Sequence, residues 1–278
     1  MSAVVAPVNP MAADGKDTVL EVLRRDQEKF FDLVDDPANW NVQTRCTEWE
    51  VRDIVGHMID VTEGYLSRWE IAKRGESADA VGLEVMGETL NDNAQAFRSL
   101  SRDEALARLK ADKEKMMSIF EALTPEEWTG LMVTHPYAGP VPAGFYPSFH
   151  IMDYGVHPYD IEYGLGNKLA EIDEATAGLL IPYAFIFMQG TVDKESAKGV
   201  DCVYGVEVSG PWGGRWRLTV KDGKLDVKPE EGNFEGCDAV FRYTPSDFVL
   251  TVFGRFAGGS AAGDPDVIDK VRKLFFRF

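Results

Sequence analysis

The period at which apolar residues recur changes near Val200, and this change restricts the fold more than any other feature of the chain. Before Val200, apolar side chains recur three and four residues apart, which is the spacing of helices with one buried face. After Val200, short runs alternate apolar and polar residues, which is typical of strands with one buried face. A length of 278 residues is also sufficient for two domains. The sequence therefore predicts a helical domain followed by a smaller domain that contains a sheet.

The first part of the chain is predicted to consist of helices with short breaks between them. One apolar stripe runs from Val19 to Val34. A second helix is predicted to start at Thr47, because Thr47 and Glu50 have the spacing of a capping box. A further helical segment extends from about 84 to 120, with a break near Ser101. Short connections of this kind favour an antiparallel bundle.

The rest of this helical part is divided by prolines and glycines. The segment from His135 to Pro147 is rich in both residues and is predicted to be a loop. A helix is predicted from Pro147 to about Tyr163, and Pro158 should interrupt and kink it. Asp173 is the predicted N-cap of another helix, which continues to about Met188.

Four alternating runs in the last part predict an antiparallel meander, and they read VYGVEVSG, RWRLTV, KLDVKP and DAVFRYT. Thr244 and Asp264 each precede a further short helix as plausible N-caps. The predicted fold class is therefore α plus α+β. Residues 1–15 are expected to be a disordered tail, residues 16–190 a helical bundle, and residues 191–278 a small α+β domain with an antiparallel sheet.

The chain is acidic, with 29 basic and 46 acidic residues and a net charge of −17. Residues 1–190 carry −16 of this charge, and residues 191–278 carry −1. Such a balance lacks the basic surface that neutralises phosphates, so nucleic acid and membranes are not expected partners. A small-molecule substrate is the expected partner, and no protein partner is evident.

Cysteine usage and the N-terminus predict a cytoplasmic protein. Cys46, Cys202 and Cys237 are odd in number and far apart, which favours a reducing compartment. No cationic segment precedes Lys16, as it would in a signal peptide. The uncharged stretch Ala175–Val192 approaches the length of a membrane span, but its proline, glycines and polar residues favour a buried helix of a globular domain.

All four histidines lie in the helical part, at positions His57, His135, His150 and His157. Asp153 and His157 are four residues apart, so both side chains project from one side of their helix. If that helix packs against the helix of His57, two imidazoles and one carboxylate converge, which is a ligand set for a divalent metal with an open position. On spacing alone, a core or surface role explains each histidine more often than a metal site does.

Two longer sequence segments, one after the other in the chain, contain these candidate ligands. The first, from Asp35 to Met58, reads DDPANWNVQTRCTEWEVRDIVGHM and carries the characteristic positions Trp40, Cys46, Trp49, Arg52, Asp53 and His57. The second reads MDYGVHPYDIEYG and contains Asp153, His157 and Asp160. Both segments resemble signatures of the mycothiol-dependent maleylpyruvate isomerase family, which belongs to the DinB-like metal-binding bundles. Asp153 stands where that family usually has a glutamate.

The last part of the chain resembles the sterol-carrier-like domain of the same family, through the segments SGPWGGRWRLTV, TPSDFVLTVFGR and GGSAAGD. The resemblance implies a DinB-like four-helix bundle followed by this domain. It also implies that Arg255, at the end of the second segment, is a catalytic residue that holds a substrate carboxylate or the cofactor.

The resemblance implies a metal centre with His57, Asp153 and His157 as ligands and zinc as the first choice of metal. Three aspartates are expected around these ligands: Asp53, Asp60 and Asp160. Either Asp53 or Asp60 is expected to orient His57 through its second ring nitrogen. Mycothiol is the implied organic cofactor.

The implied activity is that of a metal-dependent enzyme in which mycothiol, a small thiol, becomes the nucleophile that attacks a small electrophile. If the thiol is eliminated again after bond rotation, the enzyme is an isomerase. If the product keeps the thiol, the enzyme is a thiol S-transferase. A second hypothesis is a thiol-independent biosynthetic enzyme of the cyclase type, or a protein that binds an apolar ligand on the same scaffold. A third is a non-catalytic binding or regulatory protein with a purely structural bundle.

Overall fold

The computed structural model describes residues 5–276 and divides the chain into two compact units. The first unit is Val8–Ala170, and the second contains residues 5–7 and the chain from Glu171 onward. The sequence alone predicts this division near Gly190. The helix over 174–190 belongs to the second unit because its side chains complete the core of that unit. The core residues that it contributes are Ile181, Ala184, Phe185 and Met188.

The described part of the first unit contains six α-helices, which confirms the predicted helical architecture. They are α1 (Lys16–Val34), α2 (Val51–Lys73), α3 (Leu83–Ala96), α4 (Arg102–Ala122), α5 (Pro125–Gly130) and α6 (Phe145–Gly164). Helix α1 packs along α6, and α2 packs along α4 and α3. Helix α2 also contacts α1 and α6, so it occupies the centre of the bundle.

Helix α2 begins later than the sequence predicts. Its N-cap is Glu50, and the Asp53 carboxylate accepts the backbone N–H of Glu50 at 2.9 Å, which completes a capping box one turn beyond Thr47. Thr47 lies in a turn instead. The chain ahead of the helix is closed into a loop because the hydroxyl and the backbone N–H of Thr44 both donate to the carbonyl of Trp49. This loop leaves no room for an earlier helical turn.

The predicted break near Ser101 is confirmed. Helix α3 is followed by a short 3₁₀ helix, Phe97–Ser99, and Ser101 then caps α4. The Ser101 hydroxyl accepts the backbone N–H of Glu104, and the Glu104 carboxylate accepts the backbone N–H of Ser101. This pair of bonds satisfies two of the N–H groups that a helix start leaves without partners.

The segment from His135 to Pro147, predicted as a loop, contains the second strand of a small antiparallel sheet and the first turn of α6. Strand β1 (Met132–His135) pairs with β2 (Gly139–Pro142), and α6 already begins at Phe145. Gly139 has a φ of 85°, which permits the tight turn between the strands. The prolines of β2 are tolerated because each strand of a two-stranded sheet has a free edge.

Helix α6 continues through Pro158, so the predicted interruption at this residue is wrong. One backbone hydrogen bond to Tyr154 is lost there, but the other bonds and the burial of the helix maintain it. Helix α7 (Glu174–Gly190) starts as predicted, since the Asp173 carboxylate accepts the backbone N–H of Ala175 at 3.0 Å. Among the helices of the described residues, none has both the length and the apolar character that a membrane crossing requires.

The second unit contains a five-stranded sheet in the order β5-β4-β3-β6-β7. Its strands are β3 (Cys202–Val208), β4 (Gly214–Lys221), β5 (Lys224–Pro229), β6 (Ala239–Tyr243) and β7 (Ser260–Gly263). Strands β3, β4 and β5 form the predicted meander, but β6 is parallel to β3. The prediction of a wholly antiparallel sheet is therefore wrong. Asp238 explains the register, because it both donates to and accepts from the backbone of Val203 at the start of β3.

Two short helices complete the second unit, and both begin where the sequence predicts. The Thr244 hydroxyl caps α8 (Pro245–Val252), and the Asp264 carboxylate caps α9 (Pro265–Lys273). Helices α7, α8 and α9 contribute apolar side chains to one core with the sheet.

Part of the predicted disordered tail is folded. Residues 1–4 lie outside the described residues, whereas Ala13–Gly15 form a 3₁₀ helix and Pro10 is buried. The backbone N–H of Ala12 donates to the carbonyl of Asn9 and closes a turn ahead of this helix.

Helix α2 contains two glycines that serve as a matched pair for a stability test. A Cβ at Gly56 would lie 2.2 Å from the backbone oxygen of Ala94, whereas a Cβ at Gly64 would meet nothing within 4 Å. We therefore expect Gly56→Ala to destabilise the protein by about 1–3 kcal/mol, because α2 and α3 would be pushed apart. Gly64→Ala should stabilise it by up to about 1 kcal/mol through helix propensity alone. Urea unfolding of both variants measures the difference, and equal effects would contradict the close packing at Gly56.

Candidate metal centre

Three of the predicted site residues converge from two helices. His57 lies on α2, and Asp153 and His157 lie one turn apart on α6. Each offers one potential ligand atom, and these three atoms lie within 4.8 Å of one another. The three side chains are nearly buried, with exposed fractions of 7%, 9% and 4%. The expected convergence of two imidazoles and one carboxylate is therefore present.

The spacing of these atoms fits donors that share one cation. Nε2 of His57 lies 3.4 Å from Oδ1 of Asp153. This distance exceeds the usual 2.7–3.2 Å of an N–H···O hydrogen bond. Two ligands of a tetrahedral zinc, each about 2.0–2.1 Å from the ion, are separated by about 3.3 Å. The donor set and its spacing thus fit a divalent metal ion.

The electrostatic surroundings keep the carboxyl group of Asp153 ionised, which is the form that binds cations. Burial raises the pKa of Asp153, but the long hydrogen bond with His57 and the charges of His57 and His157 outweigh it and lower the pKa below the ordinary value. A buried carboxylate of this kind requires a positive partner nearby. A divalent ion at the three donor atoms would provide one.

Asp160 orients His157. Oδ2 of Asp160 lies 2.9 Å from Nδ1 of His157, and the Asp160 side chain is fully buried. If Nδ1 donates to this carboxylate, Nε2 of His157 is left with a lone pair for a metal ion. The backbone of Asp160 is also tied to the loop before α2, because its carbonyl accepts the N–H of Arg45 at 2.9 Å. The resemblance implied a position beside the ligands for Asp160, and the geometry places it there.

Cys46 forms a second group of possible ligands with two of these residues. One donor atom each from Cys46, His157 and Asp160 lies within 4.8 Å of the others. Sγ of Cys46 is 3.4 Å from Oδ2 of Asp160. Cys46 is not among the ligands predicted from the sequence, although it lies in the first signature segment.

Asp53 and Asp60 do not occupy the positions expected for them. Asp53 accepts two hydrogen bonds from Arg98, at 2.6 and 2.7 Å, in addition to its bond from the start of α2. Asp60 accepts from Asn93 at 3.3 Å, and burial raises the pKa of its carboxyl group. Nδ1 of His57 is buried and has no hydrogen-bond partner among the described residues. Neither aspartate therefore orients His57. Asp53 is held instead by the start of α2 and by Arg98.

Trp49 forms one wall of the site. Its ring centroid lies 5.0 Å from that of His57 and 6.0 Å from that of His157. Nε1 of Trp49 donates to Oδ1 of Asn91 at 2.9 Å, which fixes the indole in place. The indole excludes water from this side of the two imidazoles. The second tryptophan of the first signature, Trp49 itself, is the sequence signal for this wall. Nothing in the sequence indicated Asn91.

The other two histidines are not among the converging donors, and we call them the structural histidines. His135 accepts the backbone N–H groups of Tyr137 and Ala138 with Nδ1, and its Nε2 lies 3.1 Å from the hydroxyl of Tyr65. His150 lies among aromatic rings, and its nitrogens have no hydrogen-bond partner among the described residues.

Both structural histidines are expected to make the protein sensitive to acid. Burial lowers the pKa of His135 and of His150 to about 4, whereas an unfolded histidine titrates near 6.5. Below pH 6.5 the unfolded state binds protons that the folded state does not, so stability falls as the pH decreases from 6.5 toward 4. Each of the two histidines should lower the free energy of unfolding by about 2 kcal/mol between pH 7 and pH 5.

The variant His150→Phe tests this expectation, since phenylalanine retains the aromatic packing and cannot bind a proton. Urea unfolding at pH 7 and pH 5 should show a smaller loss of stability for the variant than for the unchanged protein, by about 2 kcal/mol. The same loss in both proteins would contradict a depressed pKa for His150.

Arg255 lies in the second unit, shortly after α8. Its Nη1 donates to the carbonyl of Phe253 at 2.9 Å, and its backbone N–H donates to the carbonyl of Leu250. Its implied catalytic role stays a prediction.

A buried set of His, Asp and His donors between helices defines this protein as a helical bundle with a candidate metal centre. The model of the mycothiol maleylpyruvate isomerase N-terminal domain matches residues 9–162. The chain therefore belongs to the mycothiol maleylpyruvate isomerase family. This match contains all three candidate ligands and Asp160. Among curated proteins, no relative matches the sequence.

Solved structures support the fold. A crystal structure of the mycothiol-dependent maleylpyruvate isomerase is 14% identical, covers 89% of this chain and 92% of its own, and superposes with a TM-score of 0.58. A histidine-to-alanine mutant of that enzyme gives 15% identity, the same coverage and a TM-score of 0.56. The predicted order of a DinB-like bundle followed by an α+β domain is thus confirmed.

A sterol carrier protein domain 2 of Helicoverpa armigera is 19% identical over 34% of this chain and 84% of its own, with a TM-score of 0.29.

Proposed function

We propose that this protein is a divalent-metal-dependent enzyme in which mycothiol, or a similar small thiol, is the nucleophile that attacks a small electrophilic substrate. The proposal depends above all on one observation, the convergence of His57, Asp153 and His157 within 4.8 Å in a nearly buried position. Membership of the family supports the choice of thiol chemistry. Zinc is the proposed metal, because two imidazoles and one carboxylate leave a fourth tetrahedral position open.

A divalent metal bound at these residues would lower the pKa of a thiol that occupies the open position, and it would thereby supply a thiolate at neutral pH. Asp160 holds the His157 imidazole in one orientation, and the Trp49 indole covers the neighbouring face of both imidazoles. These contacts restrict the centre to one geometry, and they limit access of water from that side.

The outcome of the reaction depends on whether the new carbon–sulfur bond is kept. If this bond breaks again after rotation about the carbon–carbon bond that was double before the thiol added, the enzyme is an isomerase. If the bond persists, the enzyme is a thiol S-transferase. Arg255 is the proposed residue for holding a substrate carboxylate or the thiol cofactor. The excess of acidic residues in the first unit disfavours a doubly anionic substrate, since like charges slow its approach.

The first test is metal content. The full chain, purified without chelator, should contain about one divalent ion per molecule, measured by mass spectrometry of the metals. Removal of the ion by a chelator should abolish turnover, and re-addition of zinc should restore it. A protein that contains no divalent ion and does not take one up would refute the proposed centre.

The second test is dependence on thiol. Turnover of a small conjugated carbonyl compound should require mycothiol, and a mixture with the protein but without thiol should give the uncatalysed rate. Equal rates with and without mycothiol, in a protein that contains its metal, would instead favour the thiol-independent enzyme. Analysis of the product by mass distinguishes the isomerase from the S-transferase, because only the S-transferase product retains the thiol.

A further inference from the structure

The second unit contains a cavity of about 130 Å³ between its sheet and its helices. Most of its lining is apolar and comes from both sides, including Met188, Val206, Phe241, Phe248, Val252 and Phe275. These residues belong to the same core cluster or pack against it. The cavity therefore lies at the edge of this core, and all of its lining residues belong to the second unit.

The size of the cavity limits what it can hold. An apolar cavity of about 150 Å³ stays dry and binds one benzene molecule. A single six-membered ring, or an aliphatic group of similar volume, therefore matches the space. A sterol or a long acyl chain is several times larger.

One cation at this apolar cavity has no partner among the residues that the structure describes. Arg272 is part of the lining and is exposed, and it forms no ion pair or hydrogen bond with any other residue from 5 to 276. Its neighbour Lys273, by contrast, is paired with Asp269 at 2.8 Å. An arginine at the edge of an apolar cavity favours an anionic group, above all a carboxylate, with which it makes paired hydrogen bonds.

Two phenols add hydrogen-bond donors to the lining. The hydroxyl of Tyr204 is buried and has no hydrogen-bond partner among the described residues. Burial raises the pKa of Tyr243 to about 12, although the nearby charge of Arg272 opposes this effect. Both hydroxyls are therefore protonated at neutral pH and able to donate to an oxygen atom. Donors of this kind suit an acid more than a hydrocarbon.

We propose that this cavity is a binding site for a small monocarboxylic acid with one ring or an equivalent short chain, with its carboxylate at Arg272 and its apolar part inside the cavity. This proposal rests on the second unit alone and does not depend on the proposed thiol chemistry.

Benzoate and benzyl alcohol are the probes, since they share the ring and differ in charge. Calorimetric titration of the full chain should show that benzoate binds and that benzyl alcohol binds more weakly. Arg272→Gln should weaken benzoate binding by about tenfold or more, because a charge-assisted pair is lost. The same variant should leave the affinity for benzyl alcohol unchanged. The matched control, Lys273→Gln, should bind benzoate as the unchanged protein does.

Three outcomes would overturn the proposal. One is the absence of benzoate binding. Another is equal weakening by Arg272→Gln and Lys273→Gln, which would indicate a nonspecific effect of surface charge. The third is binding of palmitate without binding of benzoate, which would indicate a cavity that opens for long chains. Both substitutions lie on the exposed side of α9, so the variants are expected to fold, and circular dichroism confirms this before the titration.

Discussion

His57→Ala is expected to remove the bound divalent ion and to abolish turnover. The variant loses one of the three donors that converge on the centre, and it leaves the Asp153 carboxylate without its nearest imidazole. Substitution of residues that only orient ligands already lowers metal affinity by about 10–100-fold. The loss of a ligand itself should therefore exceed about a hundredfold. Metal analysis after dialysis and a titration with zinc measure this loss directly.

His150→Phe is the matched control for this experiment. His150 lies on α6, one turn before Asp153, but it is not among the converging donors. Its replacement should leave the metal content unchanged. Retention of a full equivalent of metal by His57→Ala, or loss of metal from His150→Phe, would contradict the assignment of the ligands.

Asp53→Asn is expected to destabilise the protein by about 2–4 kcal/mol, because it removes one partner of a buried ion pair. The Asp53 side chain is fully buried and receives two hydrogen bonds from Arg98, of which 37% is exposed. The partial exposure of Arg98 places the cost below that of a fully buried pair. The same substitution also weakens the capping box at the start of α2. Urea unfolding at pH 7 gives the difference.

Glu63→Gln provides the comparison for Asp53→Asn. Glu63 pairs with Arg108, but both side chains are more than one-third exposed. Removing such a pair should cost less than about 1 kcal/mol. Zinc affinity separates the two possible roles of Asp53. If Asp53 oriented His57, its substitution would lower the affinity of the folded protein by about tenfold or more. We expect the affinity to remain unchanged.

Much of the site was predictable because it depends on local spacing. Asp153 and His157 are four residues apart, and this separation alone places them on one face of a helix. The pairing of that face with His57 followed from the assumption that two apolar helices pack. Asp160 was identified through its position in the second signature, and its distance from His157 agrees with the role implied.

The errors concern partners that are distant in the sequence. Asp53 is four residues before His57, so spacing made it a candidate to orient that histidine. Arg98 is far along the chain, and no local pattern indicated that it binds Asp53. The parallel position of β6 has a similar cause, because alternation of apolar residues predicts a strand and gives no information on its direction.

The predicted start of α2 was wrong because two capping signals compete in the sequence. Thr47 and Glu50 match one capping box, and Glu50 and Asp53 form another that the structure adopts. The second is favoured because Arg98 reinforces Asp53, a contribution that arises only in the folded protein. The division between the units was misplaced because α7 resembles the other helices in the sequence, although its apolar side chains join a core built from later residues.

The membership of α7 in the second unit has a consequence for the synthesis of the protein. This largely apolar helix, in which Glu174 is the one charged residue, leaves the ribosome before β3 and β6, the central strands of the sheet whose core it shares. At about 5–20 residues per second, roughly 3–10 s pass between completion of α7 and completion of β6. During that interval an apolar helix has no sheet to cover it. The nascent chain is therefore most open to chaperone binding and to aggregation at this stage, after the bundle of the first unit has been translated.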